Sequence, residues 1–363
     1  MEDTKYWVGF GRLSQVGSVR FERLERHFGL LERAWEAGRA ELAEAGIEEK
    51  VITSIVKQRP SISPDAEMDR LARLGVDVLT WNDARYPSRL KQIYLRDRPP
   101  VLYVRGTLEE TDEWAVAVVG TRRATAYGRQ TTETLVGELA QHQITIISGL
   151  ARGIDTMAHQ AALTAGGRTI AVLPCAIDTV YPTQNARMAQ AIREQGALLS
   201  EYAPGMPIQR DFFWRRNRIV AGMSLGVLVV EAGEKSGALL TARMALEENR
   251  EVFAVPGSIY SPYSKGTNAL IQQSGAKLVR EARDILTELN LTMVSEQVAV
   301  QQALPADETE LALLRCLSAE PAHIDEIGRQ AQLAPAAVSS ALAMLELKGL
   351  VRQVGGLNYI RLH

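Results

Sequence analysis

Between positions 210 and 218 the chain reads Arg-Asp-Phe-Phe-Trp-Arg-Arg-Asn-Arg, four arginines and three aromatics in nine residues against one acid. Guanidinium groups follow a phosphate backbone and aromatic faces stack bases, so this mixture suits a single strand of nucleic acid. The same residues have a competing use. Phe212 and Trp214 can pack into a core, and Arg216 or Arg218 can be structural. Arg210, Phe213 and Arg218 are the candidates for contact with a strand.

A second basic segment runs from Val119 to Arg129, with three arginines and no acid between 120 and 130. An apolar run leads into Gly120, Thr121, Arg122 and Arg123, and a helical pattern follows. Glycine lets the backbone approach an oxyanion, amides at a helix start add donors, and the Arg122 fork can grip a phosphate. An ordinary turn with solvated arginines is the plainer alternative. The dinucleotide pattern GxGxxG is absent.

Four further loops share this character. Ser148, Gly149 and Arg152 fall in a stretch that again joins a strand to a helix. Asp155 is placed there as a helix N-cap. His159 lies four residues on, and a buried helix contact suits it better than acid–base chemistry. In Leu173–Asp178, Cys175 has no basic neighbour and reads as small and buried. Tyr181 suits base stacking or rim packing equally. Lys235, Ser236 and Gly237 end a loop that forms an amide nest with one lysine, without the earlier glycine of a phosphate loop. Pro256-Gly257-Ser258 is the sixth.

These loops need a scaffold that brings strand ends together. Short, nearly all-apolar runs recur at Val76–Leu79, Val101–Val104, Val116–Val119, Ile144–Ile147, Ile170–Leu173, Val227–Val230 and Val252–Val255. Helical segments separate most of them. Strands apolar at every position are buried on both faces, so the pattern predicts an α/β fold: an extended Rossmann-like, doubly wound, mostly parallel sheet. Ligands of such sheets bind beyond the carboxyl ends of the strands, where the basic loops fall.

Residues 1–62 read as a small helical domain, weakly like a sterile-alpha-motif or helix-hairpin-helix module. Ten basic and ten acidic side chains over 1–60 favour packing or protein contact there. The core is placed at 63–290, a linker at 291–306, and a winged helix at 307–363. In the last, helices are expected near Glu308–Leu317, Ile324–Ala331 and Pro335–Leu347, then a hairpin turning at Gly355-Gly356.

The bulk properties exclude several classes. Two cysteines without a CxxC pair and five scattered histidines leave no visible metal site or disulfide framework. No run of 18 apolar residues and no export signal is visible, so a soluble cytoplasmic protein is expected. The net charge of −2 means that any polyanion must be held by local clusters. Phosphate grips without a nucleophile–base pair, acid cluster or cofactor motif point to binding with no catalytic residue.

The segments VGTRRATAYGR, SGLARGIDTMAHQAAL, AVLPCAIDTVYPTQN, LLSEYAPG, RRNRIVAG, VVEAGEKSGALLTARMALE and VFAVPGSI resemble, in this order, successive blocks of the DprA (Smf) family. Residues 65–290 carry the resemblance most closely. It implies a core that binds single-stranded DNA and passes it to the recombinase RecA in natural transformation and recombination. It also implies a homodimer formed through the Rossmann core and no known catalytic activity or cofactor. Gly120, Thr121 and Arg122 would form the main phosphate site, completed by Ser148, Gly149, Arg152, Lys235, Ser236 and Gly237. Where many relatives carry a lysine after Tyr-Pro, this chain has Thr183.

Two other readings compete. A phosphoribohydrolase-like nucleotide hydrolase would use the same sheet, but the Pro-Gly-Gly-x-Gly-Thr loop of such enzymes is missing at 231–241. A winged-helix transcription regulator would need a basic recognition helix. Residues 334–340 offer only two serines, and 307–363 hold five basic against seven acidic side chains. Weak duplex binding by that domain alone is expected.

Overall fold

The computed structural model describes residues 3–13, 15–291, 308–318, 322–347, 351–355 and 357–361. It contains two compact units, Met1–Leu289 and Asn290–His363. The expected linker at 291–306 lies, apart from Leu291, outside the described residues.

In the first unit, nine strands form one sheet: β1 Asp77–Thr80, β2 Val101–Gly106, β3 Ala115–Val119, β4 Thr145–Ser148, β5 Thr169–Val172, β6 Ala197–Ser200, β7 Gly226–Val229, β8 Glu251–Ala254 and β9 Lys277–Leu278. Their spatial order is β1-β2-β6-β5-β4-β3-β7-β8-β9. From β6 to β9 every neighbouring pair is parallel, whereas β2 runs antiparallel to both β1 and β6. The doubly wound, mostly parallel sheet is therefore present, with two strands beyond those read from the sequence. β6 escaped that reading because Ala-Leu-Leu-Ser lacks β-branched residues and continues a helical pattern. β9 has only two residues.

Every residue of β3, β4, β5 and β7 is buried, as helices covering both faces require. The chain steps from β3 through β4 and β5 to β6 in one direction, then crosses to β7 and proceeds the other way. The connections leaving β3 and β7 thus diverge, which opens a crevice at the carboxyl edge.

The N-terminal helices pack into the same core. Trp7 meets Trp81, just after β1, edge-on at 5.4 Å and stacks with Phe21 at 5.5 Å. Trp81 Nε1 donates to Glu25 at 3.0 Å, and Arg12 reaches the carbonyl of Pro204 at 2.8 Å.

The second unit is a winged helix. Helices Glu308–Cys316, Ile324–Ala331 and Pro335–Leu347 enclose Leu313, Ile327, Val338, Leu342 and Leu345. Three strands, β10 Ala322–His323, β11 Val351–Gly355 and β12 Asn358–Arg361, pair in the order β10-β12-β11. Pro335 opens the third helix, where its missing amide hydrogen costs nothing. No helix among the described residues is long and apolar enough to cross a membrane.

Candidate nucleic-acid interface

Three loops lock together at the crevice. Thr121 N donates to the carbonyl of Glu231 at 2.7 Å, and Ile154 N donates to the carbonyl of Thr121 at 3.2 Å. Gly120 sits where a Cβ would lie 2.5 Å from Ile154 Cγ1. Gly153, at φ +79°, leaves room for the Thr121 carbonyl, which a Cβ would meet at 2.2 Å. Gly120 is therefore demanded by the Ile154 side chain and Gly153 by the neighbouring backbone. Glu231 ties the junction. Its buried carboxylate accepts from Thr125 N at 2.9 Å and from Thr125 Oγ1 at 2.6 Å, at the N-cap of helix Ala126–Gln141.

The junction frames a cleft with two lobes. The larger, about 650 Å³, lies between the loop after β3 and the loop after β7, and its lining includes Gly120–Arg123, Lys235–Gly237, Phe213 and Trp214. The smaller, about 320 Å³, is lined by Arg122, Arg123, Arg152, Tyr181, Phe213 and others. Arg122, Arg123, Gly149, Ala151, Phe213 and Arg216 line both lobes. Arg122, Arg123, Arg152 and Lys235 are exposed, and none forms an ion pair among the described residues. Tyr181 and Phe213 meet edge-to-face at 5.2 Å and wall the smaller lobe. Four uncommitted cations beside aromatic faces suit a phosphate backbone carrying unstacked bases.

Ten of the thirteen residues singled out in the sequence line this cleft: Gly120, Thr121, Arg122, Arg123, Gly149, Arg152, Phe213, Lys235, Ser236 and Gly237. Three lie elsewhere. The Ser148 hydroxyl is fully buried and donates to the carbonyl of Val118 at 2.6 Å, so it ties β4 to β3. Arg218 is buried and pairs with Glu201 at 2.5 Å, facing a different cleft beside the N-terminal helices. Arg210 is exposed but outside both lobes. Among the lining residues, Ser236 is also the N-cap of helix Gly237–Glu247, accepting from Ala238 N at 3.3 Å.

Two expectations about this region change. Helix Ile154–Thr164 is capped by Gly153, not Asp155. Asp155 sits in the first turn and accepts from Ala151 N at 3.3 Å, bracing the loop instead, and burial raises its carboxyl. The loop Pro256-Gly257-Ser258 is pinned to helix Lys265–Gln272 and its N-cap Ser264. Asn268 bonds both the amide and the carbonyl of Gly257, and a Cβ there would lie 2.1 Å from Ser264 Oγ.

The remaining reactive groups are turned inward. His159 is fully buried against Thr169, with Nδ1 2.7 Å from Oγ1. Thr169 Oγ1 spends its only proton on the carbonyl of Ile146 at 2.7 Å, so the imidazole Nδ1 must be the donor. His159 and Asp155 make no bond to each other. Cys175 donates to the carbonyl of Thr179, and burial pushes its thiol up to about 11. No cluster of metal-ligating side chains occurs among the described residues.

Residues 77–290 match the family described as DNA recombination-mediator protein A, and residues 297–356 match the DprA winged helix domain. The chain belongs to the DprA family. It is 36% identical to Protein Smf of Synechocystis sp., covering 98% of each chain. DNA processing protein DprA of Bacillus subtilis is 44% identical over 59% of this chain and 72% of its own. The solved DNA processing protein A (DprA) of Streptococcus pneumoniae aligns with a TM-score of 0.69 at 34% identity, covering 78% of this chain and 97% of that one. The Helicobacter pylori DNA processing protein A was solved for its single-stranded DNA binding mode. It aligns with a TM-score of 0.53 at 33% identity, over 59% of this chain and 95% of its own. In this DprA family member Thr183 is exposed and carries no charge, next in the chain to Tyr181 and Pro182 of the smaller lobe.

Sequence reasoning missed the role of Glu231, and it gave Arg216 only a structural use without its place in the cleft lining. Both are buried charges whose partners are distant in the chain, and only a folded sheet brings those partners near.

Proposed function

We propose that this protein binds single-stranded DNA in the crevice between β3 and β7, shields it, and helps load RecA onto it during transformation and recombination. It acts without catalysis, in the cytoplasm, as a homodimer through the Rossmann-like core. The observation that carries the proposal is the set Arg122, Arg123, Arg152 and Lys235, exposed and unpaired beside the Tyr181–Phe213 wall. Membership of the DprA family supports it, as does the single-strand binding described for the Helicobacter pylori relative. The buried and separately bonded Asp155, His159 and Cys175 favour binding over hydrolysis.

Arg122→Ala tests the reading. One charge-assisted phosphate contact is worth about 1.5–3 kcal/mol, so affinity for an oligonucleotide should fall roughly 10- to 100-fold. The slope of log affinity against log salt should flatten by about 0.7, one contact on a single strand. Duplex and mononucleotide competitors should displace the strand poorly. An unchanged slope would move the phosphate site elsewhere, and tight binding with turnover of a mononucleotide would make the protein an enzyme.

A further inference from the structure

Arg216 is the one cationic side chain in the lining of both lobes that is buried. It lies in helix Phe212–Gly222, and its guanidinium passes under the loops that leave β4 and β5. Nη1 donates to the carbonyl of Val172 at 2.7 Å and also to that of Gly149, and Nε donates to Asn217 Oδ1 at 3.1 Å. A buried guanidinium ordinarily meets a carboxylate. Here the nearest acid is Asp155, which attracts Arg216 electrostatically but forms no ion pair with it. Asp155 is turned to the amide of Ala151.

The third nitrogen, Nη2, makes no hydrogen bond among the described residues, and it is not sealed from solvent. Arg122 stands close enough to repel Arg216. The cleft floor thus holds one spare donor on a fixed cation with a second cation nearby, and Asp155, the acid in that lining, is turned to Ala151. An anion relieves that repulsion and satisfies the donor.

We propose that Arg216 is an anion ligand: its Nη2 and the Arg122 guanidinium together hold one phosphodiester group of the strand at the floor of the cleft. This rests on the reading of the cleft as a single-strand site and adds a contact below the rim arginines. The tetrahedral group would lie between the lobes, and Asp155 would oppose it by charge.

Arg216→Lys keeps the charge, but its compact ammonium lacks the planar fork that reaches Gly149, Val172 and a ligand in different directions. Binding of a single-stranded oligonucleotide is measured across a salt series for Arg216→Lys, Arg122→Ala and wild type. Arg216→Lys should weaken binding roughly tenfold across the salt series, in protein whose circular dichroism is native and with the slope kept because the charge is kept. Inorganic phosphate at constant ionic strength should raise the wild-type melting temperature and leave that of Arg216→Lys unmoved. Asp155→Asn guards against a variant that fails to fold. It keeps an oxygen for Ala151 N and removes the opposing charge, so it should tighten oligonucleotide binding about three- to tenfold. Wild-type affinity in Arg216→Lys with unchanged affinity in Asp155→Asn would reduce Arg216 to a scaffold, while a loss in Arg122→Ala would still uphold the single-strand site. If Arg122→Ala also binds as wild type, the cleft itself is wrong.

Discussion

Gly149→Ala is expected to destabilise the protein by roughly 3–5 kcal/mol and to lose most single-strand binding with it. A Cβ at this position would lie 1.8 Å from Arg216 Nη1 and 2.1 Å from Cζ, so the guanidinium must leave. The end of an arginine is flexible, but this one is 94% buried and bonded to the carbonyls of Gly149 and Val172. Moving it strands a charge and leaves two buried acceptors unpaired, which is what makes the change large. Urea unfolding checks the stability, and a double-mutant cycle checks the cause. In an Arg216→Met background the methionine bends aside, so the added Gly149→Ala should cost less than 1 kcal/mol. An equal cost in both backgrounds would mean that Gly149 is required by its own backbone.

The second large effect is acid sensitivity centred on His159. Burial, and next the charge of Arg216, pull its pKa from 6.5 down to about 3. Nδ1 already donates to Thr169, and Nε2 has no partner, so a proton added there would be buried without an acceptor. The native state therefore refuses a proton that the unfolded chain accepts below pH 6.5. Stability is complete above about pH 6.5 and declines as the pH falls towards 3, by about 1.4 kcal/mol per unit and about 4–5 kcal/mol in all. Asp155 works in the opposite direction: its carboxyl is raised by burial, so protonating it favours the native state. The His159 contribution is isolated by His159→Gln, whose amide can still donate to Thr169 but cannot take a proton. Between pH 7 and pH 4.5 wild type should lose about 3 kcal/mol more than this variant in urea unfolding. Parallel pH profiles would show that the imidazole titrates normally.

Both effects concern residues first noticed as loop chemistry, and the structure gives each a packing reason. Gly149 is open so that Arg216 can pass, which a strand–glycine–helix pattern does not announce. The Asp155–His159 spacing of one helical turn suggested a pair. In the fold one turns to the Ala151 amide and the other to β5.

How far the chain was legible depends on the distance between interacting residues. Strands buried on both faces must be apolar at each position, so β3, β4, β5, β7 and β8 show themselves within four or five residues. The winged helix shows itself through helical periodicity, Pro335 and a glycine turn, all local signals. The basic loops follow from composition, and their common edge follows from the rule for parallel sheets.

Burial and periodicity act over one or two turns of chain, so the doubly wound sheet, the winged helix and a carboxyl edge rich in arginines beside aromatics are written in local sequence. Which of those arginines are free is set by the folded sheet. Arg218 is neutralised by Glu201 from 17 residues away, and Arg216 is held by carbonyls 44 and 67 residues away. The energy of a charge depends on its nearest partners and its distance from water, and the sheet sets both by joining segments that the chain keeps apart.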